Sequence, residues 1–202
     1  MHTRPRQAST TDVGVGTDDD IGAQVRCSMA NTDENVASRS FERCRTGMAV
    51  IPVKVRVKGS DKSVVTYAFL DNGSNSSFCT DSLMKQLGVK GQGTKISLST
   101  LERKNSTVVS NLVRDLLVSD LDENEYVSLP ILYTRPEIPV SSDDIPTQGD
   151  IDQWPHLQGG FIPRVHDEVG LLIATDVPEA LEPLEIKHSQ EGGPYATRTR
   201  IG

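Results

Sequence analysis

The residue whose type and position most clearly suit acid–base chemistry is Asp71, which follows an apolar run and begins the turn Asp71-Asn72-Gly73-Ser74. A carboxylate held there can act as a general base toward a water molecule. When a second carboxylate shares its proton, one member of the pair is ionised and the other donates to a carbonyl oxygen. The glycine lets the backbone come close to the reacting water. Because an Asp-x-Gly tripeptide alone is usually an ordinary turn, the surrounding elements decide its meaning.

Two predicted strands lead the chain to Asp71. After Pro52, residues up to 57 alternate apolar and basic side chains, which predicts a half-buried strand. Residues 64–70 form a more continuously apolar run, which is typical of a more central strand. The turn residues 59–62 between them predict a hairpin whose second strand ends directly on Asp71.

Two short helices and a buried strand are predicted further along the chain. Thr80 is the predicted start of a helix that Gly88 ends. Residues 169–174 are almost entirely apolar and predict a buried strand. A helix follows at once, with Asp176 as the predicted N-cap and Pro178 in its first turn.

The middle of the chain is β-prone and then rich in proline. Strands are predicted within residues 95–101, 107–121 and 126–132, and a polar turn at 102–105 joins the first two. The connection over residues 134–163 contains Pro136, Pro139, Pro146, Pro155 and Pro163. This proline density is expected to exclude regular strands and helices, and a connection of this length is usually functional or an insertion.

Composition divides the chain into three parts. Of its 202 residues, 36% are hydrophobic and 4% aromatic, both low for a chain that is globular throughout. Residues 1–46 lack clustered aliphatic side chains and predict a disordered N-terminal tail. One domain is predicted over residues 47–188 and a loose segment over 189–202. The net charge of -7 argues against direct nucleic-acid binding.

No metal or other cofactor is predicted. The cysteines are too scattered for a disulfide framework or a metal-ligand spacing: Cys27, Cys44 and Cys79. The histidines are widely spaced, and no close pair indicates a metal site. Cys79 is expected to be a buried structural thiol. The serines after Gly73 lack the Gly-x-Ser-x-Gly pattern of a nucleophile elbow, so they are expected to make turn hydrogen bonds.

The N-terminal residues have no apolar core of the kind found in a signal peptide. No run approaches the roughly 20 apolar residues that span a bilayer. The expectation is an intracellular, cytoplasmic protein without membrane partners.

From about residue 51 to 194 the chain resembles the aspartic peptidase region of BEL/Pao-type retrotransposon polyproteins, a branch of the retropepsin-like family. The resemblance is carried by TYAFLDNGSNSSFCTDSLMKQLG, by the proline-rich LPILYTRPEIPVSSDDIPTQGDIDQWPHL, and by VGLLIATDVPEALEP followed by GGPYATRTRIG. It implies a mostly β, acid-protease (retropepsin-like) barrel with one or two short helices after the disordered tail. It also implies that the chain is an excised fragment or a degenerate copy of such a polyprotein.

The resemblance also implies residue roles. Asp71 corresponds to the catalytic aspartate. The active-site loop continues through Asn72, Gly73 and Ser74, and the supporting strand contains Leu172, Ile173 and Ala174. A flap that closes over the substrate is the implied role of the turn Glu102, Arg103, Lys104 and Asn105, although an ordinary hairpin turn fits these residues equally well.

The implied function is that of a proteolytic hydrolase, an aspartic endopeptidase of retrotransposon origin. Because the predicted domain carries one Asp-x-Gly motif, a homodimer is needed to supply the second carboxylate. Extended peptides or polyprotein linkers are the expected substrates. Asn72 stands where the family has Ser or Thr, and Ala174 where it has Gly. Two alternatives follow: a catalytically inactive dimerisation or peptide-binding module, and an interaction protein that binds through its tail.

Overall fold

A computed structural model describes residues 24–26, 48–100, 103–160, 163–165, 168–189 and 193–202. The predicted disordered tail, residues 1–46, therefore lies outside the described residues except at Gln24–Arg26. These three residues form a strand that pairs in parallel with residues 97–99, whereas disorder was predicted there.

The described residues form twelve strands and three α-helices. The strands are β1 (Gln24–Arg26), β2 (Val50–Val57), β3 (Ser63–Leu70), β4 (Phe78–Thr80), β5 (Gln92–Ser99), β6 (Ser106–Val113), β7 (Leu116–Ser119), β8 (Tyr126–Ser128), β9 (Leu132–Arg135), β10 (Val169–Ile173), β11 (Glu185–Lys187) and β12 (Ala196–Arg198). The α-helices are α1 (Asp81–Leu87), α2 (Gln148–Asp152) and α3 (Pro178–Leu181). The chain is thus mostly β, as predicted, with few helices.

Ten of the strands form one mixed sheet in the order β1-β5-β6-β9-β4-β10-β3-β2-β7-β8. The predicted hairpin is confirmed, because β2 and β3 pair antiparallel from Val50 opposite Phe69 to Arg56 opposite Ser63. Strand β10 lies between β3, to which it runs parallel, and β4, to which it runs antiparallel. The two apolar runs singled out in the sequence are therefore neighbours, although about a hundred residues separate them.

The alternating side chains of β3 and β10 contribute to two apolar clusters on opposite faces of these strands. Ala68 and Ile173 belong to the larger cluster, together with Val53 and Leu132. Phe69 belongs to the second cluster, with Leu172 and Ala174 as further members. Since successive side chains of a strand point to opposite faces, strands buried on both faces read as continuous apolar runs. This explains the unbroken apolar sequence before Asp71.

Helix α1 begins and ends as the sequence predicts. Its N-cap is Thr80, whose hydroxyl accepts a hydrogen bond from the backbone N–H of Leu83 at 3.1 Å. Gly88 ends the helix with φ of 73°, a left-handed conformation that glycine adopts without a Cβ clash. Leu83 and Leu87 face the core, so their burial holds the helix, which directly follows β4, against the rest of the fold.

Two predicted long strands are each divided in the structure. The stretch 107–121 covers β7 and all of β6 except Ser106, and the two strands are separated by a turn where Asp115 has φ of 60°. The stretch 126–132 holds β8 and only the first residue of β9, with Pro130 between them. Proline cannot donate to the ladder, and a positive φ breaks it. Apolar periodicity alone could not locate these breaks.

The proline-rich connection is more regular than predicted. It contains α2 and two 3₁₀ turns, Ser142–Asp144 and Pro155–Leu157. Proline is compatible with the first turn of a helix because the missing N–H has no intrahelical partner there. The prediction that helices are excluded was therefore wrong.

Two local expectations near the C-terminal end also differ from the structure. Helix α3 has Val177 at its N-cap, not Asp176, whose carboxylate is bound elsewhere. The segment 189–202 contains β12, and Ile201 is fully buried in the larger cluster. An isolated isoleucine in a polar stretch gave no periodic signal, yet its burial fixes the end of this segment.

Candidate active site

Asp71 lies where strand β3 ends beside β10. Its backbone N–H donates to the carbonyl oxygen of Ile173 at 2.8 Å, which continues the pairing of the two strands by one step. Only 8% of Asp71 is exposed. The aspartate is thus not at the tip of a solvent-exposed turn, and the run ending at Ala174 lies directly against its loop.

Two donors from its own loop hold the carboxylate of Asp71. The backbone N–H of Gly73 donates to Oδ1 at 2.8 Å, and the hydroxyl of Ser74 donates to Oδ2 at 2.5 Å. Ser74 is itself buried, with 2% exposure. Because each carboxylate oxygen accepts from a different donor, the plane of the carboxylate is fixed relative to the loop.

The loop is joined to the chain that follows β10. Thr175 donates to the carbonyl oxygen of Ser74 from its backbone N–H at 3.2 Å and from its hydroxyl at 2.9 Å. These bonds anchor the residue whose hydroxyl holds Asp71. The structure therefore brings together Asp71, Gly73, Ser74 and the predicted supporting run, through hydrogen bonds that sequence spacing could not specify.

A second set of hydrogen bonds that stabilises the site joins Ser77 and Asp176, and the sequence analysis did not predict it. The hydroxyl of Ser77 donates to Oδ1 of Asp176 at 2.6 Å and accepts from the backbone N–H of Ala174 at 2.9 Å. The backbone N–H of Ser77 donates to Oδ2 of Asp176 at 3.0 Å. Ser77 is fully buried. The sequence signals were weak: Ser77 stands beside an apolar strand, and Asp176 is a residue type that caps helices. The sequence analysis assigned Asp176 to the N-cap of the following helix instead of to Ser77.

The two positions at which the sequence departs from the pattern of the family it resembles lie in different environments. Asn72 is exposed at the outside of the loop. Ala174 is fully buried in the second apolar cluster, and its N–H is paired with Ser77. Asn72 is therefore available to a partner, whereas Ala174 is enclosed by its own chain.

The predicted flap is part of a hairpin. Strands β5 and β6 pair antiparallel, with Leu98 opposite Ser106, and the turn between them includes Arg103, Lys104 and Asn105. Asn105 has φ of 55°, and its backbone N–H donates to the hydroxyl of Ser99 at 3.1 Å. Glu102 lies outside the described residues. The hairpin is observed, and its role as a flap stays a prediction.

Cys79 is a buried structural thiol, as predicted. Burial raises its pKa from 9.0 to about 12, and the nearby charge of Asp81 adds to the increase.

Within the described ranges, no three His, Cys, Asp or Glu side chains lie close enough together to hold a metal ion. The ring Nε2 of His156 lies 2.7 Å from the carbonyl oxygen of Pro194. His166 lies outside the described residues.

No protein-family model, curated protein or solved structure matches this chain. In the part of the chain that the structure describes, no helix is long and apolar enough to cross a membrane. Any assignment of function therefore depends on the geometry around Asp71 and on the motifs of the sequence itself.

Proposed function

We propose that this chain is a retropepsin-like aspartic endopeptidase of retrotransposon origin, active as a homodimer through one Asp71 from each copy. The observation that carries the proposal is the carboxylate of Asp71, held by Gly73 and Ser74 at the end of a central strand. An ordinary surface turn would not need a buried carboxylate with a separate donor on each oxygen. A site that must keep a carboxylate oriented for proton transfer does need one.

The chemistry needs two such carboxylates around one water molecule. One carboxylate is ionised and takes a proton from the water as its oxygen attacks the peptide carbonyl carbon. The other is protonated and gives its proton to the carbonyl oxygen, so a neutral tetrahedral diol forms. When the C–N bond breaks, a proton passes to the amine nitrogen and the carbonyl re-forms. The two carboxyl groups together end as they began, sharing one proton.

A second copy of the chain is the proposed source of the second carboxylate. The sequence contains two other Asp-x-Gly tripeptides, Asp12-Val13-Gly14 and Asp20-Ile21-Gly22, and both lie outside the described residues. A twofold partner brings the same loop to the same place, because an isologous contact pairs each residue with its equivalent. The exposed position of Asn72 supports this arrangement, since its amide can both donate and accept across such a contact.

The acid-protease barrel is the proposed finer description of the fold. Three features support it: the hairpin β2–β3 ending on Asp71, the insertion of β10 beside β3, and the helix α3 soon after β10. The hairpin β5–β6 has the length that a substrate-covering flap requires. An extended peptide bound beneath it can pair with its backbone as an added strand.

The direct experiment compares peptide cleavage by the wild-type protein and by Asp71→Asn at mildly acidic pH, using a peptide library read by mass spectrometry. Asp61→Asn is the matched control, because it makes the same chemical change at an exposed residue of the β2–β3 turn. Cleavage by the wild type and by the control, with none by Asp71→Asn, supports the proposal. Equal cleavage by all three proteins, or cleavage by none, contradicts it.

A catalytically inactive retropepsin-like module is the second candidate, and Asn72 is the observation that favours it. A short hydroxyl at this position is what the family uses to join the two loops. A longer amide can join the chains and still displace the two carboxylates from a shared proton. Under this function the protein dimerises and binds extended peptides, but Asn72→Thr gains cleavage that the wild type lacks.

A further inference from the structure

Strand β1 lies at the outer edge of the ten-stranded sheet, beside the hairpin proposed as the flap. The order β1-β5-β6 makes β5 its hydrogen-bonded neighbour. The two strands run parallel, with a register from Gln24 opposite Ser97 to Arg26 opposite Ser99. Because Ser99 is the last residue of β5, the contact lies directly before the turn of the hairpin.

The contact covers only one end of the β5 edge. Strand β5 has eight residues and β1 has three, so residues 92–96 of β5 lie beyond the pairing. Among the described strands, none except β1 pairs with this edge. An unpaired edge presents a row of N–H and C=O groups to which an extended chain can add. Strand β1 is therefore a short occupant of an edge that a longer peptide can cover more completely.

Strand β5 packs against the apolar cluster that borders the Asp71 loop. Ile96 is buried in the second apolar cluster, and Leu98 packs against that cluster from the same strand. Phe69 and Ala174, which lie at the ends of the two strands that carry the Asp71 loop, are members of it as well. The edge that β1 occupies therefore belongs to a strand that shares a cluster with the elements holding the candidate site.

We infer that residues 24–26 occupy in cis an edge to which extended peptides bind, and that β1 restrains access to the site until a peptide displaces it. The inference rests on the proposed function in one respect, because it takes the β5–β6 hairpin as the part that pairs with substrate. It adds how that pairing surface is regulated. The ligand in trans is an extended peptide, which β5 recognises through backbone hydrogen bonds.

Attachment to the same chain favours β1 over a free peptide. A tethered segment competes as if it were present at a concentration of the order of 1 mM. A free peptide offsets this advantage by pairing with more of β5 than β1 does, including residues 92–96. The edge therefore selects peptides that are long enough to pair along most of the strand.

Hydrogen exchange followed by NMR tests the contact in the full chain. Gln24→Pro combined with Val25→Pro, the β1 variant, removes the N–H groups of two successive residues, and proline is excluded from paired positions of a strand. The amides within residues 97–99 that face β1 should then exchange roughly tenfold faster or more. Ser9→Pro combined with Thr10→Pro makes the same change elsewhere in the N-terminal segment and leaves their exchange as in the wild type. Unchanged exchange in the β1 variant overturns the inference.

Peptide binding tests the competition. The probe is a fluorescein-labelled synthetic peptide of residues 20–30 in which serine replaces Cys27, and fluorescence anisotropy gives its dissociation constant. Removal of the occupant in cis should lower that constant roughly threefold or more in the β1 variant relative to the wild type. The control with prolines at residues 9 and 10 should bind the probe like the wild type. Equal binding by all three proteins, or binding by none, overturns the inference.

The outcomes separate this inference from the proposed function. Tighter peptide binding by the β1 variant, with no cleavage by any of the proteins, supports the occupied edge and contradicts the peptidase. Faster cleavage by the β1 variant than by the wild type supports both. Cleavage that depends on Asp71 but is equal in the wild type and the β1 variant supports the peptidase and overturns the inference.

Discussion

Removal of the Ser77 hydroxyl should destabilise the loop that carries Asp71. Ser77→Ala leaves the backbone N–H of Ala174 without its acceptor, and an unpaired buried N–H costs about 1–3 kcal/mol. The lost bond to Asp176 contributes less than a fully buried charged bond, since Asp176 is exposed and water replaces the donor. We therefore expect the free energy of unfolding to fall by about 2–3 kcal/mol.

The measurement is urea unfolding followed by circular dichroism, with the free energy taken from the midpoint and slope. Ser76→Ala is the matched control, because Ser76 is the half-buried neighbour and its change should cost no more than about 0.5 kcal/mol. Ser77→Thr keeps the hydroxyl, so it should retain more peptide cleavage than Ser77→Ala. The reasoning fails if Ser77→Ala is no more destabilising than Ser76→Ala.

Three further changes test other parts of the structure. Because the folded-state pKa of Cys79 is raised from 9.0 to about 12, its thiol should resist iodoacetamide at pH 8 until urea unfolds the chain. For the same reason the folded state holds this proton more tightly, so the free energy of unfolding should fall as pH rises from 9.0 toward about 12; an unchanged value would contradict the burial. Gly170→Ala puts a Cβ 2.5 Å from the hydroxyl of Thr66 and should cost about 1–3 kcal/mol in urea unfolding, whereas a neutral effect would contradict this packing. Gly193→Ala places a Cβ against the ring of Trp154 and should shift its fluorescence, which a spectrum like the wild type's would disprove.

The elements nearest to Asp71 could be predicted from the sequence because their signals are local. Alternation after Pro52 and the apolar run before Asp71 specify two strands, and the turn between them specifies their pairing. Thr80 and Gly88 mark the limits of α1 by capping chemistry alone. These signals need no knowledge of distant parts of the chain.

The hydrogen bonds that stabilise the site could not be predicted because they join residues about a hundred positions apart. Asp176 has the sequence context of a helix N-cap, and the antiparallel pairing of β4 and β10 brings it to Ser77 instead. Burial of Ile201 likewise depends on the tertiary fold. Spacing predicts contacts within a hairpin or a helix, whereas contacts between distant loops depend on how the sheet is assembled.

The central claim is that each active site contains one Asp71 from each of two chains. It is tested most directly by mixing the wild type with Asp71→Asn, allowing subunits to exchange, and measuring peptide cleavage at constant total protein. If both carboxylates are needed, only wild-type pairs are active, and an equal mixture should keep about one quarter of the activity. A decline in proportion to the wild-type fraction, with about one half remaining, contradicts the claim.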